Sequence, residues 1–200
     1  KYGLVAKGSV FATTTNPIVT FVLMAIISKA ISKNQIFGII MGFLGGALIM
    51  DVYNTGFIEM FNKENIYFPA CSVLWGVMTI MVSISQKKVP GIVFIFYCYV
   101  FTAIISFPLT DISYYEIANL DADFAIHFFI VAIASMGFGT SVYMYSTNVI
   151  GPVKSSAFIF SVPLIALISS YFMLEQEIHI TTIIGGLICV FSTFILNKKI

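Results

Sequence analysis

The stretch Gly151-PVKSSAFIFSVPLIALISSYFMLEQEIHITTIIGGLICVFSTFIL-Asn197 reads as two membrane-spanning helices joined by a short polar turn. The first span, about Val153 to Met173, carries one charge at its start (Lys154), has Ser155 and Ser156 just inside, and holds Pro163 in mid-span. The turn contains Glu175, Glu177 and His179, and the second span opens on Thr181-Thr182, passes Gly185-Gly186 and stops at Asn197-Lys198-Lys199. A charge at the centre of a bilayer costs about 2.5–3.5 kcal/mol on insertion scales, so charges held to the ends mark a true span.

The rest of the chain has the same character. It is 59% hydrophobic and only 10% charged, with a mean hydropathy of +1.00, whereas soluble domains carry about 25% charged residues. The reading is an integral membrane protein. A net charge of +1, with lysines placed singly or in pairs, offers no basic patch and argues against nucleic acid as a partner. Cys71, Cys98 and Cys189 fall inside apolar runs at unrelated spacings, which suits small buried hydrophobes rather than a disulfide framework or zinc site.

Seven apolar runs are expected to be spans: Gly8–Ser28, Ile36–Met50 (short), Ile66–Ser85, Gly91–Thr110, Phe124–Tyr145, Val153–Met173 and Ile180–Leu196. They are apolar on all sides and lack the alternation of barrel strands, so the backbone must satisfy itself as helix. The expected fold is all-α, a polytopic transmembrane helical bundle. Lys29, Lys33, Lys87, Lys88, Lys154, Lys198 and Lys199 fall on one side, with Lys1, Lys7 and Lys63 on the other. The positive-inside rule makes the lysine-rich side cytoplasmic and places the C-terminus on the cytoplasmic side of the inner membrane. Asp51, Glu59, Glu64, Asp111, Glu116, Asp121, Asp123, Glu175 and Glu177 then all lie outside.

Two stretches share a layout. The segment from Gly8 and the segment from Lys154 both start with small hydroxyl residues, reach a proline (Pro17, Pro163), pass a polar turn and open a glycine-bearing helix (Gly38, Gly185). The two spans lie five apart in the chain, an odd number, so they cross in opposite directions. Inverted repeats of this kind build many secondary transporters, with the substrate site near the midplane. A chance likeness between two apolar hairpins is the alternative.

With Trp75 in "SVLWGVMTIMVS" and the run "SMGFGTSVYMYSTNVIGPVKSSAFIFSVPLIALISSYFMLEQEIHITTIIGGLICV", this layout resembles the EamA-like branch of the drug/metabolite transporter superfamily. The resemblance implies ten spans in two five-span repeats. It makes residues 1–50 the last two spans of a first repeat, 51–65 an outer loop and 66–200 a complete second repeat. Seven spans are then present, and the family's first three are expected to be missing from an N-terminally truncated chain. Lys29 departs from the family, which often has a glutamate at that turn.

Candidate functional residues follow, each with a plainer reading. Pro17 and Pro163 free backbone carbonyls within a span and are hinge or cavity candidates, although membrane helices also simply tolerate proline. Gly38, Gly42 and Gly46 form overlapping GxxxG spacings and, with Gly137, Gly139, Gly185 and Gly186, are read as helix-packing positions. Trp75, Tyr143, Tyr145 and Phe160 are candidates to line an aromatic cavity, Tyr145 also suiting a membrane-interface belt. Asn16, Thr13, Thr15, Ser156 and Ser161 flank the prolines and serve either substrate or helix-to-helix hydrogen bonds. His127, one turn inside its span, is a candidate for proton handling or a plain interfacial histidine.

No Asp or Glu lies inside an apolar run, and no HExxH, Walker A or GxSxG pattern occurs. An ATP-driven pump or familiar intramembrane hydrolase is not expected, nor any cofactor or metal. The expectation is a secondary transporter moving a small organic solute (amino acid, metabolite or drug-like compound) by alternating access, with export the direction that the resemblance implies. Membrane lipid surrounds it, and a homodimer is an allowed assembly. The rival is a non-transporting membrane subunit or assembly scaffold.

Overall fold

The structure is a computed structural model, and it describes residues 2–29, 32–52, 66–109, 121–174 and 179–198. Among these the regular elements are all helical. They are α1 (Tyr2–Ser28), α2 (Lys33–Ile49), α3 (Tyr67–Ser85), α4 (Gly91–Ser106, extended by a 3-10 turn Phe107–Leu109), α5 (Ala122–Val149), α6 and α7 (Ile180–Asn197). The helix α6 is assembled from Pro152–Ala157, a 3-10 turn Phe158–Ser161 and Val162–Leu174. Five of the seven are long and apolar enough to cross a membrane, and α2 and α6 are shorter apolar helices. The chain is an all-α polytopic membrane bundle. The acidic turn with Glu175 and Glu177 and most of the loops over residues 51–65 and 111–123 lie outside the described residues.

Local chemistry sets the helix ends. Ser32 caps α2 in a capping box, its side chain accepting from the Asn34 amide while the Gln35 side chain accepts from the Ser32 amide at 3.0 Å. Asp121 caps α5 by accepting from the Phe124 amide at 2.7 Å. Gly151, at φ 90°, turns the chain into Pro152 at the head of α6, a backbone geometry that a side chain would strain.

The chain divides into two compact units, Lys1–Met81 with Ile150–Ile200, and Val82–Val149. The larger holds α1, α2, most of α3, α6 and α7. Its core joins Ile39, Ala157, Phe160, Cys189 and Leu196, with Ile18, Phe21 and Ile49 packed against them. A second cluster joins Phe11 and Met50 with Val10, Val52 and Phe68. Many of the remaining buried residues are small and polar: Thr14, Thr20, Ser72, Thr79, Ser155, Ser156, Ser192 and Thr193. Helices in lipid gain nothing from burying leucine in leucine, so they associate through close backbone approach and short hydroxyl side chains.

The smaller unit holds the last turn of α3 with α4 and α5. Its apolar side chains mostly face outward, Phe96, Phe101, Ile104, Phe128 and Ile133 among them. In water such a surface would aggregate, but in hydrocarbon it is the ordinary exterior. Within α5 the residues Ile130–Gly139 form a π-helical stretch, closed by the Thr140 amide donating to the Ser135 carbonyl. The Tyr99 hydroxyl donates to the Met136 carbonyl at 2.8 Å, so a side chain from α4 serves a carbonyl inside this widened turn.

The expectation that all three cysteines are buried holds for Cys189 alone, since Cys71 is exposed and Cys98 half-buried. A thiol is apolar enough to face hydrocarbon, so its type does not choose a helix face.

Candidate functional site

In the larger unit α2 and α7 meet backbone to backbone along a glycine seam. A Cβ on Gly45 would stand 2.7 Å from the Gly185 carbonyl oxygen and 3.0 Å from the Cys189 amide nitrogen. A Cβ on Gly185 would stand 2.6 Å from the Gly45 carbonyl oxygen and 3.0 Å from the Ile49 amide nitrogen. Each glycine thus meets the other's backbone and the residue four positions beyond it. The contact is reciprocal.

The neighbouring glycines turn the other way. Gly46 faces Thr14 on α1, and Gly186 faces Leu164 on α6, next to Pro163. In each helix one glycine of the pair serves the seam and the other serves the proline-bearing helix that precedes it. Toward the lysine-rich end the seam is stitched by side chains: the Ser192 hydroxyl donates to the Gly38 carbonyl at 2.6 Å and the Cys189 thiol to the Gly42 carbonyl at 3.6 Å. The Thr193 hydroxyl instead ties α7 to α6, donating to the Ala157 carbonyl at 2.8 Å. Leu196 fills the space beside Gly38, and the Phe160 ring fills that beside Gly42.

The structure brings several candidates of the sequence together here. Asn16 and Pro17 on α1 are buried, Asn16 accepting from the Thr20 hydroxyl at 3.4 Å. Ser156 is buried and donates to the Val153 carbonyl at 3.0 Å, Phe160 is fully buried, and Pro163 is buried in the same helix. Gly38, Gly42, Gly46, Gly185 and Gly186 all abut a neighbouring helix. Thr13 is spent on the Val10 carbonyl, and Thr15 and Ser161 are half-buried.

Others sit apart. Trp75, half-buried on α3, belongs to the larger unit, whereas Tyr143, also half-buried, belongs to the smaller. Tyr145 is exposed. His127 is exposed near the start of α5, with Nδ1 2.7 Å from the Asp123 carbonyl of its own helix. Gly137 and Gly139 lie in the π-helical stretch, where an added Cβ would meet only carbonyl oxygens of that stretch, Ala132 at 3.3 Å and Ala134 at 3.6 Å.

The sequence reading passed over Gly45, Gly76, Thr14, Ser192 and Thr193. Gly76 admits Val19 of α1 beside α3, where Ser72 donates to the Ala12 carbonyl at 3.3 Å. The signal was present: Gly185, Cys189 and Thr193 repeat small residues every four positions on α7. Gly45 falls one position off the GxxxG register through Gly38, Gly42 and Gly46.

These features define a class, polytopic helical membrane proteins whose hairpins pack through paired glycines. The chain belongs to the EamA-like transporter family, whose profile matches residues 62–198. It is therefore a membrane transporter of the drug/metabolite type, and transport rather than enzymatic turnover is that family's activity. No curated protein gives a significant match to the chain.

Proposed function

We propose that the protein moves a small organic solute (an amino acid, metabolite or drug-like compound) across the cytoplasmic membrane by alternating access, in the direction of export. The observation that carries this reading is the reciprocal contact of Gly45 and Gly185, each of which blocks a side chain on the other. Such a contact is what a reading of the α1–α2 and α6–α7 hairpins as parts of an inverted repeat calls for, and in that arrangement one half rocks against the other about a midplane site. Residues 1–50 are then the end of a first repeat and 66–200 a second. The lysine-rich ends, with the C-terminus, face the cytoplasm.

In this reading Pro17 and Pro163 are where α1 and α6 yield, and Asn16, Ser156, Trp75, Tyr143 and Phe160 line the solute path in one state or another. Phe160 is sealed against Gly42 here, so a lining role requires its ring to swing out. Any proton coupling in this reading falls to His127, whose exposed position near the start of α5 also suits a plain interfacial histidine, and a second copy of the chain is an allowed partner.

The test is flux in proteoliposomes loaded with a panel of radiolabelled amino acids and cationic drugs. Trp75→Ala and Tyr143→Ala are each expected to lower flux of the accepted solute about tenfold or more at unchanged expression. If flux and binding survive both changes, the aromatic path is wrong. If the wild-type protein moves nothing in the panel while remaining folded, the scaffold role gains.

A further inference from the structure

The smaller unit contains a feature built from residues other than those proposed for the solute path. A groove of about 580 Å³ runs between the start of α4 and the last turns of α5, lined by Gln86, Pro90, Ile92, Phe138, Val142 and Tyr145 among others. That volume lies in the range of sites that hold one small ligand. Its floor is fixed. The Gln86 amide donates to the Met144 carbonyl at 2.8 Å and to the Thr147 hydroxyl oxygen at 2.9 Å, and Ser83 donates to the Thr147 carbonyl at 3.3 Å. Gly91, having no side chain, lets α4 begin directly against the Gln86 side chain.

The groove has two chemistries. Ile92, Phe138 and Val142 give it an apolar wall, with Ile92 and Phe138 each 71% exposed. Ser141, Tyr145 and Asn148 give it a polar side. Between Gln86 and Pro90 the chain passes through Lys87 and Lys88, held in a tight turn by the Lys88 and Val89 amides, which both donate to the Ser85 carbonyl at 2.9 Å. Both lysines are exposed, and among the described residues neither forms an ion pair. An apolar slot with a polar side, whose lining residues Gln86 and Pro90 flank two exposed lysines in the chain, matches an amphiphile with a negative head. A soluble anion would leave the apolar wall unused, and a neutral lipid would leave the lysines unused.

We propose that this groove holds one anionic phospholipid, its phosphate against Lys87 and Lys88 and an acyl chain along Ile92, Phe138 and Val142. The site depends on the smaller unit alone and stands or falls separately from the solute path. The lipid ties the α3–α4 turn to the end of α5, where Gln86 already joins them.

Native mass spectrometry of the detergent-purified chain, titrated with phosphatidylglycerol or phosphatidylcholine, tests it. The wild-type protein is expected to retain phosphatidylglycerol about tenfold better than phosphatidylcholine, as two lysines at an anionic headgroup would give. The double change Lys87→Gln with Lys88→Gln should erase that preference. The double change Lys29→Gln with Lys33→Gln, which removes the same charge elsewhere, should leave it intact. Val142→Trp, filling the slot while keeping the lysines, should lower retention of both lipids. Equal retention of the two lipids by the wild-type chain overturns the proposal, as does a preference that survives loss of Lys87 and Lys88. A preference lost equally with Lys29 and Lys33 overturns it too, because the effect would then be general surface charge.

Discussion

The α1–α2 and α6–α7 hairpins carry the same parts and treat their prolines differently. Pro17 sits inside a continuous helix, whereas the turn just before Pro163 tightens to 3-10 over Phe158–Ser161. Proline lacks an amide hydrogen and its ring crowds the carbonyl four residues back, so both helices face the same local fault. In α1 that region is rich in threonine: Thr14 donates to the Val10 carbonyl at 2.8 Å and lies within 3.2 Å of the Phe11 carbonyl. Neither is the carbonyl that Pro17 leaves without an amide, which is that of Thr13 four residues back, so these hydroxyls do not replace the lost bond. The same residue type leaves α1 α-helical and follows a 3-10 turn in α6. If one hairpin is the yielding half of the transporter, α6 is the better placed.

The largest expected effect probes what the hairpins share. Gly45→Leu and Gly185→Leu each drive a side chain into the opposing backbone, which cannot rotate away, and each should cost about 3 kcal/mol or more. Loss of monodisperse protein on size-exclusion chromatography in mild detergent is the readout. Should one variant fold normally while the other fails, the two-fold reading of the seam is broken.

Alanine sharpens the same point. Gly45→Ala and Gly185→Ala should each lower stability by about 1–3 kcal/mol. Gly38→Ala should cost less, because it meets the movable end of Leu196 rather than backbone. Thermal unfolding of the three variants gives the order.

The proline contrast yields a smaller effect on stability and a clear one on rate. Pro163→Ala lets the 3-10 turn relax toward α-helix. Flux should fall about tenfold if α6 yields during the cycle, with Tm unchanged or raised. Pro17→Ala, in a helix already continuous, should change flux by about twofold at most. The reverse order, measured in proteoliposomes, would move the yielding point to α1. Smallest of all, Ser192→Ala removes the hydrogen bond to the Gly38 carbonyl and should cost about 0.6 kcal/mol in a detergent melt, the usual size of such bonds between membrane helices.

How much of this was legible differs by kind of feature. The spans were legible because a bilayer admits only backbone that bonds to itself, and long apolar runs between charged ends admit only helix. The short run from Ile36 is α2, and the run Phe124–Tyr145 falls within α5. The family was legible from the placing of Gly, Pro and Trp75, and its profile matches residues 62–198. The partner of each glycine was not legible. Gly45 and Gly46 are adjacent and chemically identical, yet one meets Gly185 and the other Thr14. The π-helical stretch of α5 was also hidden, because Ile130–Gly139 is as apolar as any span and its hydrogen-bond offset depends on register, not composition.

By itself the sequence determined that this chain lives in a membrane, crosses it as helices and belongs with the EamA-like transporters. Hydropathy and charge act residue by residue, and a linear string carries them whole. The tertiary structure decided that Gly45 faces Gly185, that Phe160 is sealed against Gly42 and that α6 tightens to 3-10 before its proline where α1 stays α-helical. Those outcomes turn on which neighbour packs against each glycine and each turn, and only the packed chain sets that.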